Sequence, residues 1–85
     1  MDIDQLRSFD RIVRDGSFTK AAARLNVTQA TISMRMRTLE QHVGGPLFLR
    51  GRKVELTERG TAFLPYARRV LSTLVESEEA MRVMD

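Results

Sequence analysis

The chain has 85 residues, 42% of them apolar and 29% charged, with no cysteine, one histidine and a formal net charge of +3. That is ordinary globular composition with room for one hydrophobic core, and it excludes a disordered tail, a disulfide scaffold, a thiolate zinc finger and Cys-based catalysis. No apolar run reaches the ~18 residues of a membrane span, and Met1 precedes Asp2 and Asp4 rather than a basic leader, so the expected setting is a reducing cytoplasm.

Ile3, Leu6, Phe9, Ile12 and Val13 recur at spacings of three and four, which predicts a first amphipathic helix of about three turns. Asp2 followed by Gln5 is a capping-box pattern, and Gly16 offers a left-handed end. Ser17 caps a second, shorter helix through Thr19, Lys20 and Ala21-Ala22-Ala23 to Leu25, ended by Asn26. Its small residues allow another helix to approach closely. Thr28 is the N-cap of a third helix reaching about Val43. There Ile32, Met36, Leu39 and Val43 fall within about 60° of arc, a narrow core stripe. The opposite side carries Ala30, Ser33, Met34, Arg37 and Gln41. Gly44-Gly45-Pro46 stops this helix abruptly. Leu47-Phe48-Leu49 and Val54-Glu55-Leu56, around the turn Arg50-Gly51-Arg52-Lys53, predict a β-hairpin with a cationic tip. Thr57 caps a last helix running towards Arg82, with Glu58 in its first turn and a mild kink expected at Pro65.

The charge is unevenly placed. Residues 16–54 carry a net +6, because Lys20, Arg24, Arg35, Arg37, Arg50, Arg52 and Lys53 face only Glu40, while the two flanks are slightly acidic. Arginine supplies twelve of the fourteen cations, and its planar fork suits phosphates and guanine edges. Two helices joined by a short turn, then a basic hairpin, follow the order of a winged helix-turn-helix. No paired carboxylates, nucleophile–base pair or glycine-rich phosphate loop points to an enzyme. The lone His42, expected as a solvated helix residue, cannot build a metal site, and no cofactor is expected.

The residues resemble the LysR-type transcriptional regulators, in their N-terminal DNA-binding domain and linker helix. The likeness runs from Met1 to about Leu71 through Leu6-Arg7-Ser8-Phe9, Gly16-Ser17-Phe18-Thr19-Lys20-Ala21-Ala22 and Leu25-Asn26-Val27-Thr28-Gln29. It continues with Ile32-Ser33, Leu39-Glu40, Pro46-Leu47-Phe48-Leu49-Arg50, Leu56-Thr57-Glu58-Arg59-Gly60 and Pro65-Tyr66-Ala67-Arg68. The resemblance implies a mainly α fold: three helices and a two-stranded wing over residues 1–57, then a long linker and dimerisation helix over residues 58–85. It also implies a dimeric bacterial regulator of transcription whose third helix enters the major groove of double-stranded DNA and whose wing reaches the minor groove. Such proteins continue into a two-lobed effector-binding domain, absent here, and the full-length protein is expected to form a tetramer. Three departures stand out. Ala30 replaces the family's common proline, Met34 replaces a common Arg or Lys, and the wing is one residue shorter between Arg50 and Val54.

On this basis Gln29, Ala30, Ser33 and Met34 are expected at base edges, with Arg52 as the wing residue and Lys53 as its alternative. Gln29 can pair with adenine, and Met34 can pack on a thymine methyl. Thr19, Lys20, Thr28 and Thr31 cluster at helix starts where phosphate is favoured, and Arg37 points outward as a further phosphate contact with Lys53. Arg35 is either a phosphate contact or a flank residue or intramolecular ion pair. Arg50 is either a phosphate contact or an internal anchor for the base of the wing. Phe63, Leu64, Ala67, Val70, Leu71, Leu74 and Met81 form the apolar side of the last helix, which a second copy is expected to cover beyond its first turns. Rival readings are a winged-helix protein-interaction module and a DNA-compacting architectural protein without sequence preference.

Overall fold

The computed structural model describes residues 1–84, in the order α1 (Ile3–Asp15), α2 (Phe18–Arg24), α3 (Gln29–Val43) and α4 (Glu58–Arg82). Each boundary has a local chemical cause. At the start of α1, the Asp2 carboxylate accepts from the Gln5 backbone N–H at 2.8 Å and the Gln5 side chain accepts from the Asp2 N–H at 3.2 Å, a reciprocal cap. Gly16 ends the helix with φ 64, a left-handed conformation open to glycine at no steric cost. Ser17, Thr28 and Thr57 each accept a backbone N–H at the starts of α2, α3 and α4. Asn26, at φ 59, makes the turn between α2 and α3.

The hairpin is present in its shortest form. Phe48 and Leu56 make one antiparallel bridge, Leu49 N–H donates to Glu55 O at 2.8 Å, and Thr57 N–H donates to Leu47 O at 3.0 Å. Glu40, the lone acid of the basic stretch, holds the wing's other end: its carboxylate accepts from Leu47 N–H at 2.8 Å.

Phe9, Ile12, Ile32, Leu39 and Leu47 are fully buried at the junction of α1, α3 and the wing. Each such side chain contributes roughly 1.5–3 kcal/mol of burial. The Phe9 ring meets Phe48 edge-on at 5.5 Å and Phe63 at 5.7 Å, joining α1 to the wing and to α4. Ala21 and Ala22 are buried, so α2 comes close to its neighbours as its small residues predict.

Only the first half of α4 packs on the domain. Ala67 is 1% exposed, and Arg68 Nε donates to Asp10 Oδ1 at 2.8 Å while Arg14 Nε donates to its Oδ2 at 2.9 Å. Burial alone would raise the Asp10 carboxyl, but the two guanidinium hydrogen bonds and their charges outweigh it and hold the group below its ordinary carboxylate value. The helix runs on through Pro65 to Arg82. At ~1.5 Å per residue its last turns stand well clear of the core. Among the described residues no helix is long and apolar enough to cross a membrane.

Candidate nucleic-acid interface

Turn chemistry and helix packing bring the start of α2, the outer face of α3 and the wing tip into the exposed part of the molecule. Val27 N–H donates to Ala22 O at 3.0 Å, which fixes the turn and sets the start of α3 beside the start of α2. Gln29, Ala30, Met34 and Arg37 are exposed and Ser33 is half-buried, whereas Ile32, Met36 and Leu39 of the same helix are buried. Met34 is 63% exposed, an apolar side chain with no intramolecular reason to face water.

The hydroxyls at the helix starts have definite assignments. Thr28 Oγ1 accepts from Thr31 N–H at 3.1 Å and donates its own proton to Thr31 Oγ1 at 3.0 Å. Thr28 thus serves the cap with an oxygen lone pair while its hydroxyl pairs with that of Thr31. Thr19 Oγ1 donates to Gln29 Oε1 at 3.2 Å, linking α2 to the first residue of α3. The first backbone N–H groups of α3 point outward with the positive end of the helix dipole.

The four ion pairs found among the described residues all use Asp10 or Asp15 of α1. Lys20, Arg37, Arg50, Arg52 and Lys53 are exposed and have no carboxylate within pairing distance among the described residues. Arg50 has no internal carboxylate anchor among the described residues. Arg24 instead pairs with Asp15 at 3.4 Å, and Arg35 turns inward to donate to the buried Ser8 hydroxyl at 3.3 Å. Arg35 makes no ion pair among the described residues, and this hydrogen bond ties α3 to α1 instead.

The residues expected to form a dimer seam divide in two. Ala67 is taken up by the chain's own core, and Phe63, Leu64 and Leu71 pack partly against it. Val70 (46% exposed) and Met81 (62%) stay open and Leu74 is half-buried, while Val75 (55%), not named from the sequence, is open beside them. An apolar groove of about 440 Å³ lies between Ile3 and the α4 residues Val70, Thr73 and Leu74.

Positioning residues beyond those named from sequence also emerge. Arg59 Nη1 donates to Val43 O at 2.8 Å, closing the C-terminal end of α3 from the start of α4. Gly45 lies beneath that guanidinium, where a Cβ would come within 2.8 Å of Arg59 Nε. The glycine pair after α3 was the available signal for such a close approach, and Glu40, alone among seven cations, was the signal for an internal role.

Comparison with known proteins accords with this geometry. Residues 3–61 match the family described as bacterial regulatory helix-turn-helix protein, lysR family. A probable RuBisCO transcriptional regulator of Cyanidioschyzon merolae is 45% identical over 80 residues, covering 93% of the chain, and the match spans only 26% of that relative's length. Two solved structures superpose closely. A CbnR DNA-binding domain–DNA complex has a TM-score of 0.89 at 37% identity, covering 98% of this chain and 97% of that one. A BenM DNA-binding domain complex with catB site 1 DNA has a TM-score of 0.93 at 34% identity, covering 99% of this chain and 96% of that one. With 59 of its 85 residues matching that family's model, the chain belongs to the lysR family of bacterial regulatory helix-turn-helix proteins.

Proposed function

We propose that the chain binds double-stranded DNA with sequence preference, as a homodimer, and regulates transcription in the cytoplasm; it carries out no catalysis. The observation that carries this reading is that Lys20, Arg37, Arg50, Arg52 and Lys53, five cations of the basic stretch 16–54, are exposed without carboxylate partners among the described residues, as is the outer side of α3. An α-helix fits the major groove, and Gln29, Ala30, Ser33 and Met34 lie on the part of α3 that would meet base edges. Lys20, Thr31, Arg37, Arg50 and Lys53 would meet phosphates, which set register without reading sequence. Arg52 would enter a minor groove. Residues 1–57 would form the DNA-reading part, and residues 58–85 the linker that pairs two copies through Val70, Leu74 and Met81. The solved DNA complexes of CbnR and BenM domains with the same fold support the reading. In the longer protein, an effector-binding domain and assembly into a tetramer would follow α4.

A salt titration on duplex DNA tests it. Each phosphate neutralised lowers log K by about 0.9 per unit of log salt, so five cations give a slope of about −4 to −5 per protomer. A protein-interaction module would show no such affinity for duplex DNA, and an architectural protein would show the slope without preference for any sequence.

A further inference from the structure

The hydrogen bond between Thr19 and Gln29 joins two exposed side chains on different helices, and the cap and turn chemistry already described explains their placement but not this bond. We propose that Thr19 is a positioning residue for base recognition: its hydroxyl holds the Gln29 carboxamide with the carbonyl turned towards α2 and the NH₂ group free. The proposal rests on the reading of α3 as the groove-facing helix.

The chemistry is one of limited donors. A threonine hydroxyl has one proton, and here it goes to Gln29 Oε1 at 3.2 Å. A phosphate oxygen only accepts, so Thr19 cannot donate to DNA while it holds Gln29. This replaces the expected phosphate contact of Thr19 with a role at one remove from the DNA. Thr19 is suited to it. Its β-branched side chain is stiff about χ1, and the Ser17 cap and the Asn26 turn fix its backbone relative to Gln29. The terminal torsion of a glutamine is broad and roughly two-fold, so a free Gln29 would present its donor or its acceptor end with little cost. With Oε1 engaged, the NH₂ end is the one offered to the groove, and one carbonyl lone pair remains for a bidentate pair. The base pair facing Gln29 is therefore one that shows an acceptor, such as a purine N7, guanine O6 or thymine O4, and the cytosine amino group is disfavoured.

The test compares base preferences selected from randomised duplexes by five versions of the chain: wild type, Thr19→Val, Thr19→Ser, Gln29→Ala and the double variant Thr19→Val with Gln29→Ala. Gln29→Ala locates the base pair read by Gln29. Thr19→Val keeps the shape and removes the hydroxyl, and preference should fall there by about 3- to 10-fold, the size of one modest hydrogen bond, with other positions and the salt slope unchanged. Thr19→Ser should restore most of it. Adding Thr19→Val to Gln29→Ala should change nothing further. An unaltered profile in Thr19→Val, or an even loss across all sequences, would overturn the proposal while leaving DNA reading by α3 intact. If wild type selects no sequence, the underlying reading fails and the proposal falls with it.

Discussion

Replacing Gly60 by alanine should destabilise the chain, against the ordinary preference of helices for alanine. Gly60 is buried in the first turn of α4, where the wing's Leu47 carbonyl crosses the helix. A methyl at Gly60 would overlap Leu47 O and lie 2.9 Å from Leu56 Cδ2. Helix propensity favours alanine by about 1 kcal/mol. Overpacking against backbone typically costs about 1–3 kcal/mol, and lifting Leu47 away also strains the hydrogen bond it accepts from Thr57 N–H at 3.0 Å, worth about 1 kcal/mol. The sum is a net loss of about 2 kcal/mol, or about 10 °C in Tm for a domain of this size. Thermal melts followed by circular dichroism measure it. Gly51→Ala is the control, because nothing lies within 4 Å of a Cβ there and the melt should barely move. A Gly60→Ala protein that melts at or above wild type would refute the seating of the wing on α4.

Four further outcomes are expected. Arg52→Ala should weaken DNA binding and flatten the salt slope by about one charge equivalent, and an unchanged slope with unchanged affinity would remove the wing from the interface. Met34→Arg should shift the preferred base pair facing that side chain from T·A towards G·C, by an amount on the order of 1–3 kcal/mol, as read by selection from randomised duplexes. Val70→Glu should favour monomer in sedimentation, because a charge would enter the open side of α4; Leu71, which packs partly on its own domain, is the poorer choice for this test. Asp10→Asn should lower Tm near neutral pH by the equivalent of about 1 kcal/mol. The Asp10 carboxyl titrates lower in the folded chain than in the unfolded one, so its contribution is present above its ordinary carboxylate range and is lost as pH falls through the folded value. The Tm gap between wild type and Asp10→Asn should therefore close in acid, and a gap constant down to about pH 2 would contradict the ion-pair assignment.

Much of the fold was legible because its punctuation is local. Asp2 with Gln5, Ser17, Thr28 and Thr57 cap, and Gly16, Asn26 and Gly44 turn, through chemistry confined to a few neighbouring residues. The stripe Ile32, Met36 and Leu39 is buried as its period requires. The hairpin was legible in place but not in extent, since a single bridge, Phe48 to Leu56, forms between its arms. Roles that depend on how helices meet were hidden. Nothing local distinguishes Arg35, which reaches Ser8, from Arg37, which faces outward, until α1 is set against α3. The same holds for Arg68 on Asp10, Arg59 on Val43 and the crossing at Gly60. In the interface, the exposed faces and basic surplus were visible in the sequence, but the engagement of Thr19 with Gln29 required both helices in place.

Selection of bound duplexes from a fully randomised pool by the wild-type chain tests the central claim most directly. The account predicts enrichment of two inverted half-sites about one helical turn apart, with centres spaced by roughly 10–10.5 base pairs or a multiple, as a two-fold dimer requires. Retention of all duplexes alike, at any salt concentration, would contradict it.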